Sequence, residues 1–236
     1  MPQTVMNEDQ SDSLIASNRL INLKNMYGNF YKTIWKLILE KNENEPGRHN
    51  NFSVAFAGCR EGDGASTMSF NFANAYSENS YDSVVLVDGN IRKPVLHYQF
   101  NLKNDRGLSD VINGKVGLLD VIREIKPGKF FFIPSGTESK NPISLFNTTV
   151  FDSILKLLRD MFSVIIFDSP PILGNPEVAI LANKLDGIIL ILNADVTRWE
   201  VAKSVKNDLE TANVKILGAV LNKKEFVIPQ AIYRWL

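Results

Sequence analysis

A chain of 236 residues with 44% hydrophobic and 22% charged side chains has the composition of one sizeable globular domain with its own core. Its 26 basic and 26 acidic residues balance to a formal net charge of zero, so no overall field attracts it to nucleic acid or to an anionic membrane. The single cysteine, Cys59, excludes an internal disulfide framework and is typical of a reducing cytoplasm, and one cysteine with two histidines argues against a Cys/His metal site.

The first fifty residues divide into three segments by composition. Residues 1–13 are polar and acidic, lack the order of a signal peptide and are expected to form a disordered leader. Residues 14–40 predict a helix, and residues 41–50, which contain Pro and Gly, predict a polar linker. We therefore expect the folded domain to span residues 51–236. No apolar run reaches the roughly 18 to 20 residues that a membrane span needs.

The predicted N-terminal helix is amphipathic. Its apolar side chains, from Leu20 to Ile38, recur at helical spacing. This apolar face either packs on the core of its own domain or docks on another subunit or a membrane partner. Trp35 beside Lys32 and Lys36 would also suit a membrane surface.

Residues 53–67, SVAFAGCREGDGAST, predict a strand, a glycine-rich loop and the beginning of a helix near Ser66. The strand is Val54–Ala57, and the loop glycines are Gly58, Gly62 and Gly64. Backbone N–H groups converge at such a helix N-terminus, and the helix dipole favours negative charge there. This stretch therefore predicts either an anion site, with phosphate as the anion that such loops usually hold, or a plain glycine-rich turn from a strand into a helix.

The loop departs from the usual phosphate-loop pattern G-x-x-x-x-G-K-[ST] at two positions. Gly64 and Ser66 match it, but Cys59 takes the place of the first glycine and Ala65 that of the lysine. The lysine normally reaches the β- and γ-phosphates, and losing it should cost roughly one to two decades in binding or rate. Arg60 offers a substitute cation in the same loop.

Strands and helices alternate through the rest of the chain. The predicted strands are Ser83–Val87, Phe130–Ile133, Ser163–Phe167, Gly187–Leu192 and Lys215–Leu221. The predicted helices are Leu108–Ile112, Leu118–Ile125, Val150–Met161, Val178–Lys184 and Glu200–Ala212. The strands are apolar throughout, which is typical of buried parallel strands. The pattern predicts an α/β fold with a mostly parallel sheet and helices on both faces.

Polar side chains stand at the ends of three of these strands. Asp88 follows SVVLV, Asp168 follows SVIIF, and Asn222 ends the last strand. Asp and Asn are common where strands turn into loops, so each alone has a plain structural explanation. In parallel sheets, however, ligands bind beyond the carboxyl ends of the strands. With Ser66 supplying a hydroxyl, the two carboxylates could hold Mg²⁺, and the amide could read a base edge.

The ordered motifs GDGAST, VVLVDGNIRKP, FSVIIFDSPPI and GAVLNK resemble those of a known family. The chain is similar, over roughly residues 14–236, to the cytoplasmic ATPase domain of bacterial tyrosine kinases of the capsular and exopolysaccharide type. That family belongs to the deviant-Walker group of P-loop ATPases, so the resemblance implies a P-loop NTPase-like fold.

The resemblance also implies roles for individual residues and the cofactor ATP or ADP with Mg²⁺. The implied nucleotide-binding residues are Gly62, Asp63, Gly64, Ala65, Ser66, Thr67, Arg92 and Asn222. The implied positions of a degenerate catalytic site are Asp88, Asn90 and Asp168, and the implied Mg²⁺ ligands are Ser66, Asp88 and Asp168. A membrane polysaccharide co-polymerase that regulates chain length is the implied partner, and a homo-oligomer is implied as well.

Four features depart from the family pattern. Ala65 replaces the phosphate-loop lysine, and Asn90 replaces the second aspartate of the D-x-D-x-R motif. The closing sequence YRWL offers Tyr233 where the family carries a tyrosine cluster. The E-x-x-R-x-x-R motif of the N-terminal helix is matched here by Asn29, Lys32 and Trp35. An amide at position 90 cannot act as a general base, so these losses predict a catalytically impaired domain.

The leading interpretation is a kinase-like P-loop protein of exopolysaccharide or capsule biosynthesis or export. It would work in the cytoplasm, at the inner face of the cell membrane through its partner, without contact to nucleic acid. The alternative is an active ATP-dependent tyrosine kinase in which Arg60 or Lys93 replaces the missing lysine. A structural module that binds no nucleotide is a third hypothesis. A DNA-partitioning ATPase would have the same fold, but the zero net charge and the D-S-P-P motif of this chain argue against that hypothesis.

Overall fold

The computed structural model describes Ile34, Lys36 and residues 51–139, 141–194 and 196–223. The chain divides into two compact units, residues 1–46 and 47–236. In the first unit Ile34 and Lys36 are both helical. The predicted leader, the linker, most of the N-terminal helix and Tyr233 lie outside the described residues, so the domain boundaries stay predictions. No helix in the described part of the chain is long and apolar enough to cross a lipid bilayer.

The second unit is built on one seven-stranded sheet. Its strands are β1 (Phe52–Gly58), β2 (Val84–Asp88), β3 (Arg123–Lys126), β4 (Phe130–Ile133), β5 (Val164–Asp168), β6 (Gly187–Asn193) and β7 (Ile216–Asn222). They lie in the order β3-β4-β2-β5-β1-β6-β7, and every neighbouring pair is parallel except β3 with β4. The predicted α/β class with a mostly parallel sheet is confirmed.

Eight helices connect these strands in the described residues. They are α1 (Ala65–Asn79), α2 (Leu96–Gln99), α3 (Leu108–Ile112), α4 (Leu118–Val121), α5 (Pro142–Phe146), α6 (Thr149–Met161), α7 (Glu177–Asn183) and α8 (Trp199–Thr211). Helix α1 begins at Ala65, one residue before the predicted start, because Gly64 already takes the capping position. The sequence did not predict the short helices α2 and α5.

Aromatic contacts place helices on both faces of the sheet. On one face, Phe72 of α1 packs on Phe56 of β1, with ring centroids 5.6 Å apart. On the other face, Phe151 of α6 packs on Phe167 of β5 at 6.1 Å. Every residue of β1, β2 and β5 is buried. These three central strands therefore form a rigid base for whatever stands at their carboxyl ends.

The predicted helix Leu118–Ile125 is wrong in its second half. Helix α4 ends at Val121, and the chain continues as β3, which pairs antiparallel with β4 at the edge of the sheet. The apolar residues of this stretch fit a helical period by chance. The chain forms a hairpin here because Lys126 and Phe130 can pair across a short turn. This arrangement leaves β3 half-exposed at the edge of the sheet, as is common for edge strands.

Gly107, which precedes α3, lies where no side chain fits. A Cβ at this position would collide with the carbonyl oxygen of Pro134 and the amide nitrogen of Gly136. We expect Gly107→Ala to lower the free energy of unfolding by about 1–3 kcal/mol, because backbone rather than a flexible side chain must move. Urea unfolding measures this change. Gly218→Ala is the matched control, since a Cβ there meets nothing within 4 Å, and equal effects of both changes would contradict the prediction.

Candidate functional site

The glycine-rich loop between β1 and α1 presents free amides to an anion. Gly62 and Gly64 adopt left-handed backbone conformations, with φ of 88° and 98°, which glycine tolerates at little cost. The N–H groups of Gly64, Ala65 and Ser66 donate to none of the described residues. Since α1 has four turns of helix behind these amides, its N-terminus has the geometry and the partial positive charge of a phosphate site.

Two distant strands fix the shape of this loop. The Oδ1 atom of buried Asp63 accepts a hydrogen bond from the Thr197 hydroxyl at 3.2 Å, and its Oδ2 atom accepts from the Arg60 amide at 2.9 Å. The side-chain amide of Asn222 donates to the Asp63 carbonyl oxygen at 2.8 Å. A Cβ on Gly64 would collide with that same amide group. The loop is therefore held from the segment after β6 and from the end of β7 as well as by its own turn.

Asp88 and Asp168 lie side by side beneath the loop. They end β2 and β5, where they are partners in register. Side chains alternate along a strand, so both carboxylates project on the α1 face of the sheet. Asp88 accepts hydrogen bonds from the amides of Asn90 and Leu96 at 3.2 and 3.3 Å. Both carboxylate oxygens of Asp168 are buried without a hydrogen-bond partner among the described residues.

Burial dominates the electrostatics of this pair. It raises the pKa of Asp88 to about 7. Burial raises the pKa of Asp168 well above its ordinary value too, and the negative charge of Asp88 raises it further. The hydroxyls of Ser66 and Ser69 oppose this rise in part, although neither makes a well-formed hydrogen bond to Asp168. Without a cation, the pair therefore holds a proton at neutral pH.

The unpartnered oxygens of Asp168 fit a magnesium ion. Mg²⁺ prefers oxygen ligands and usually binds one or two carboxylates together with waters and substrate phosphates. Asp88, Asp168 and the hydroxyl of Ser66 supply oxygens of this kind, as the sequence predicts. No group of three or more His, Cys, Asp or Glu side chains in the described ranges could hold a metal alone. The phosphates would have to complete the coordination, and the ion would then neutralise their charge.

The motif after β2 is engaged in contacts of its own. Asn90 closes the turn, because its Oδ1 atom accepts a hydrogen bond from the Lys93 amide at 3.2 Å. Arg92 forms a two-pronged ion pair with Glu177 of α7, at 2.5 and 3.4 Å. Lys93 reaches the loop, where its ammonium group pairs with the exposed carboxylate of Glu61 at 3.1 Å. The nucleotide role that the resemblance implies for Arg92 stays a prediction.

Two contacts of the loop and one contact of the motif after β2 were not predicted from the sequence. Thr197 and Glu177 were missed as partners of the loop and of the second motif. Lys223 directs its ammonium group onto the Gly62 carbonyl oxygen at 2.9 Å. Their only sequence signal was that Thr197 and Lys223 sit in the stretches NADVT and GAVLNK, each at the end of a strand.

The structure brings most of the predicted site residues together. The loop residues Gly62 to Thr67, the pair Asp88 and Asp168, and Asn222 meet at the carboxyl ends of β1, β2, β5 and β7.

Cys59, in the place of the first loop glycine, is buried, and burial raises the pKa of its thiol to about 11. That thiol therefore stays protonated at neutral pH.

Sequence comparison finds relatives over most of the chain. No family model matches it. The tyrosine-protein kinase CpsD of Streptococcus agalactiae serotype III (strain NEM316) is 30% identical over 178 residues, which are 75% of this chain and 76% of the relative. The tyrosine-protein kinase YwqD of Bacillus subtilis (strain 168) is 30% identical over 173 residues, 73% of each chain.

Structural comparison also finds similar proteins over most of the chain. The kinase domain of the Escherichia coli tyrosine kinase ETK superposes with a TM-score of 0.71 at 25% identity, covering 77% of this chain and 72% of that one. The chimerical protein CapA2B2 gives 0.71 at 27% identity, covering 74% and 77%. The septum site-determining protein MinD of Pyrococcus horikoshii, solved with Mg-ADP, gives 0.61 at 21% identity, covering 78% and 76%. This last likeness shows the fold alone.

Proposed function

The chain belongs to the bacterial tyrosine-protein kinases associated with capsule and exopolysaccharide systems, and from this premise we propose that it is a catalytically impaired member of that family. It binds ATP or ADP with Mg²⁺ at the loop before α1 and transfers phosphate to tyrosine poorly or not at all. Its task is then to serve as a nucleotide-sensing partner in polysaccharide synthesis or export.

The observation that carries the proposal is a contrast within one site. The elements that bind are retained: a preset loop, together with amides at the start of α1 and oxygens on Asp168 that have no hydrogen-bond partner among the described residues. The elements that react are changed: Ala65 brings no charge to the phosphates, and Asn90 can accept a hydrogen bond but cannot take a proton from a tyrosine. Binding without efficient turnover is what this combination supports.

The partner of the proposed protein is a membrane polysaccharide co-polymerase that regulates chain length. Relatives of this chain are kinases of capsule systems, one of them described as lying in a cps region, and a related structure is a chimera named CapA2B2. The protein would then work at the cytoplasmic face of the membrane, with self-association as a further expected property. Co-purification of the chain with a membrane polysaccharide co-polymerase from the same organism tests this part of the proposal, and failure to co-purify would contradict it.

A phosphotransfer assay tests the catalytic part. We expect the purified chain to bind Mg·ATP in a calorimeter yet to phosphorylate neither itself nor a poly(Glu,Tyr) substrate above background. The double variant Ala65→Lys, Asn90→Asp, which restores both changed groups, is the matched positive control. Tyrosine phosphorylation by the unaltered chain at the rate of that control would refute impairment. It would favour the alternative, an active kinase in which Arg60 or Lys93 replaces the lysine.

A further inference from the structure

Two consecutive side chains at the end of β7 form hydrogen bonds to the phosphate loop. Asn222 holds the carbonyl oxygen of Asp63, and Lys223 holds that of Gly62, at 2.8 and 2.9 Å. Lys223 adopts a left-handed backbone conformation, with φ of 57°, and its amide donates to the Oδ1 atom of Asn222 at 2.9 Å. This local turn carries the lysine side chain back over the loop instead of letting it follow the strand outward.

Lys223 is the cation best placed to serve the loop. Arg92 is paired with Glu177, and Lys93 is paired with Glu61, so the positive charge of each is already balanced by a carboxylate. Arg60 is exposed, and its guanidinium group forms no hydrogen bond or ion pair with the described residues, so nothing among them holds it at the loop. Lys223 bonds a neutral carbonyl oxygen and has no carboxylate partner within the described ranges. Its full charge therefore remains available to an anion at the loop.

We propose that Lys223 supplies, from the far end of the sheet, the cation that the phosphate loop lacks at Ala65, and that it binds the terminal phosphates of a nucleoside di- or triphosphate. This inference rests on the proposed nucleotide binding and adds a residue to it. The ammonium group needs to move only from the carbonyl oxygen of Gly62 to a phosphate oxygen held by the neighbouring amides. A charged acceptor forms a stronger hydrogen bond than a neutral one, so the exchange is favourable.

The proposal predicts a loss of affinity that depends on the phosphates. Lys223→Met keeps the length of the side chain and removes its charge. It should weaken Mg·ADP binding about tenfold, since one charge-assisted hydrogen bond is lost at an exposed position. Binding of adenosine, which has no phosphate, should change less than about twofold. Lys223→Arg should retain most of the affinity for Mg·ADP.

Titration calorimetry on the full chain measures these affinities, and Lys215→Met is the matched control. Lys215 is exposed just before the opposite end of the same strand, so its replacement removes the same charge far from the loop. The variants are repeated in the Ala65→Lys background. In that background the lysine at position 65 should itself bind the terminal phosphates, so Lys223→Met should lower the affinity for Mg·ADP by less than about twofold. Such non-additivity would show that the two lysines can replace each other.

The outcomes distinguish a failure of the Lys223 proposal from a failure of nucleotide binding itself. If the unaltered chain binds Mg·ADP and Lys223→Met binds it equally well, the role of Lys223 is refuted and the nucleotide site stands. Equal losses for ADP and adenosine would also refute it, because Lys223 would then act only by closing the loop. If the unaltered chain binds no nucleotide, both proposals fail together.

Discussion

In the Lys223→Met background, Ala65→Lys is expected to tighten the binding of Mg·ATP and Mg·ADP by about 10- to 100-fold. Position 65 is the first residue of α1 and is half-buried at the loop, so a longer side chain can extend towards the phosphates. Hydrogen bonds to charged groups contribute about 1.5–3 kcal/mol, and each 1.4 kcal/mol is a factor of ten in affinity. This is the largest gain in binding that a single change at this site should produce.

Ala65→Met separates the charge of the new side chain from its bulk. The methionine fills similar space without an ammonium group, and we expect it to leave the affinity unchanged or lower. Calorimetric titration of the three proteins with each nucleotide measures the effect. An Ala65→Lys protein that binds no better than Ala65→Met would mean that the loop does not hold phosphates where a lysine can reach them.

The second large effect concerns the buried carboxylates. In Mg²⁺-free buffer, the free energy of unfolding should fall by several kcal/mol from pH 4 to pH 8 as Asp88 ionises beside Asp168. The pKa of Asp88 in the folded protein is about 7, against an ordinary value of 3.8. Between these values the folded state binds more protons than the unfolded state, so rising pH favours unfolding. The contribution is complete below pH 4 and is lost as pH passes 7.

Asp88→Asn isolates this contribution from the titration of other groups. The amide does not ionise and keeps one oxygen, which can accept from the backbone amide of either Asn90 or Leu96, the two amides that Asp88 binds through different oxygens. Urea unfolding at several pH values should show the variant gaining on the unaltered protein as pH rises. Parallel curves would contradict the prediction. Mg·ADP should shrink the difference, because a bound cation favours the ionised pair.

The sequence predicted what depends on local order. A strand ending in glycines and opening a helix can fold in few ways, and aspartates after apolar strands must emerge at one edge of a parallel sheet. The loop, Asp88, Asp168 and Asn222 were therefore placed correctly at that edge. Antiparallel β3 was missed because its alternation is too short to distinguish from a helical period.

The contacts that complete the site could not be predicted in the same way. Arg92 and Glu177 are 85 residues apart, and Lys223 and Gly62 are 161 residues apart. Such pairs form because the strand order brings distant segments together, and this order cannot be derived from a single sequence. An exposed lysine after a strand looks like any solvated lysine until the sheet shows which loop lies beside it.

The position of β1 in the sheet determines when this strand can pair while the chain is being synthesised. The first strand of the sheet lies between β5 and β6, and the loop that follows it is held by Asn222, 159 residues downstream of Asp63. At about 5–20 residues per second, a ribosome needs roughly 8 to 32 s to make that stretch. For the first part of this interval, until β5 and then β6 have been made, the apolar strand β1 has neither of its neighbours in the sheet. We therefore expect the nascent chain to be most prone to aggregation before β5 and β6 have been made.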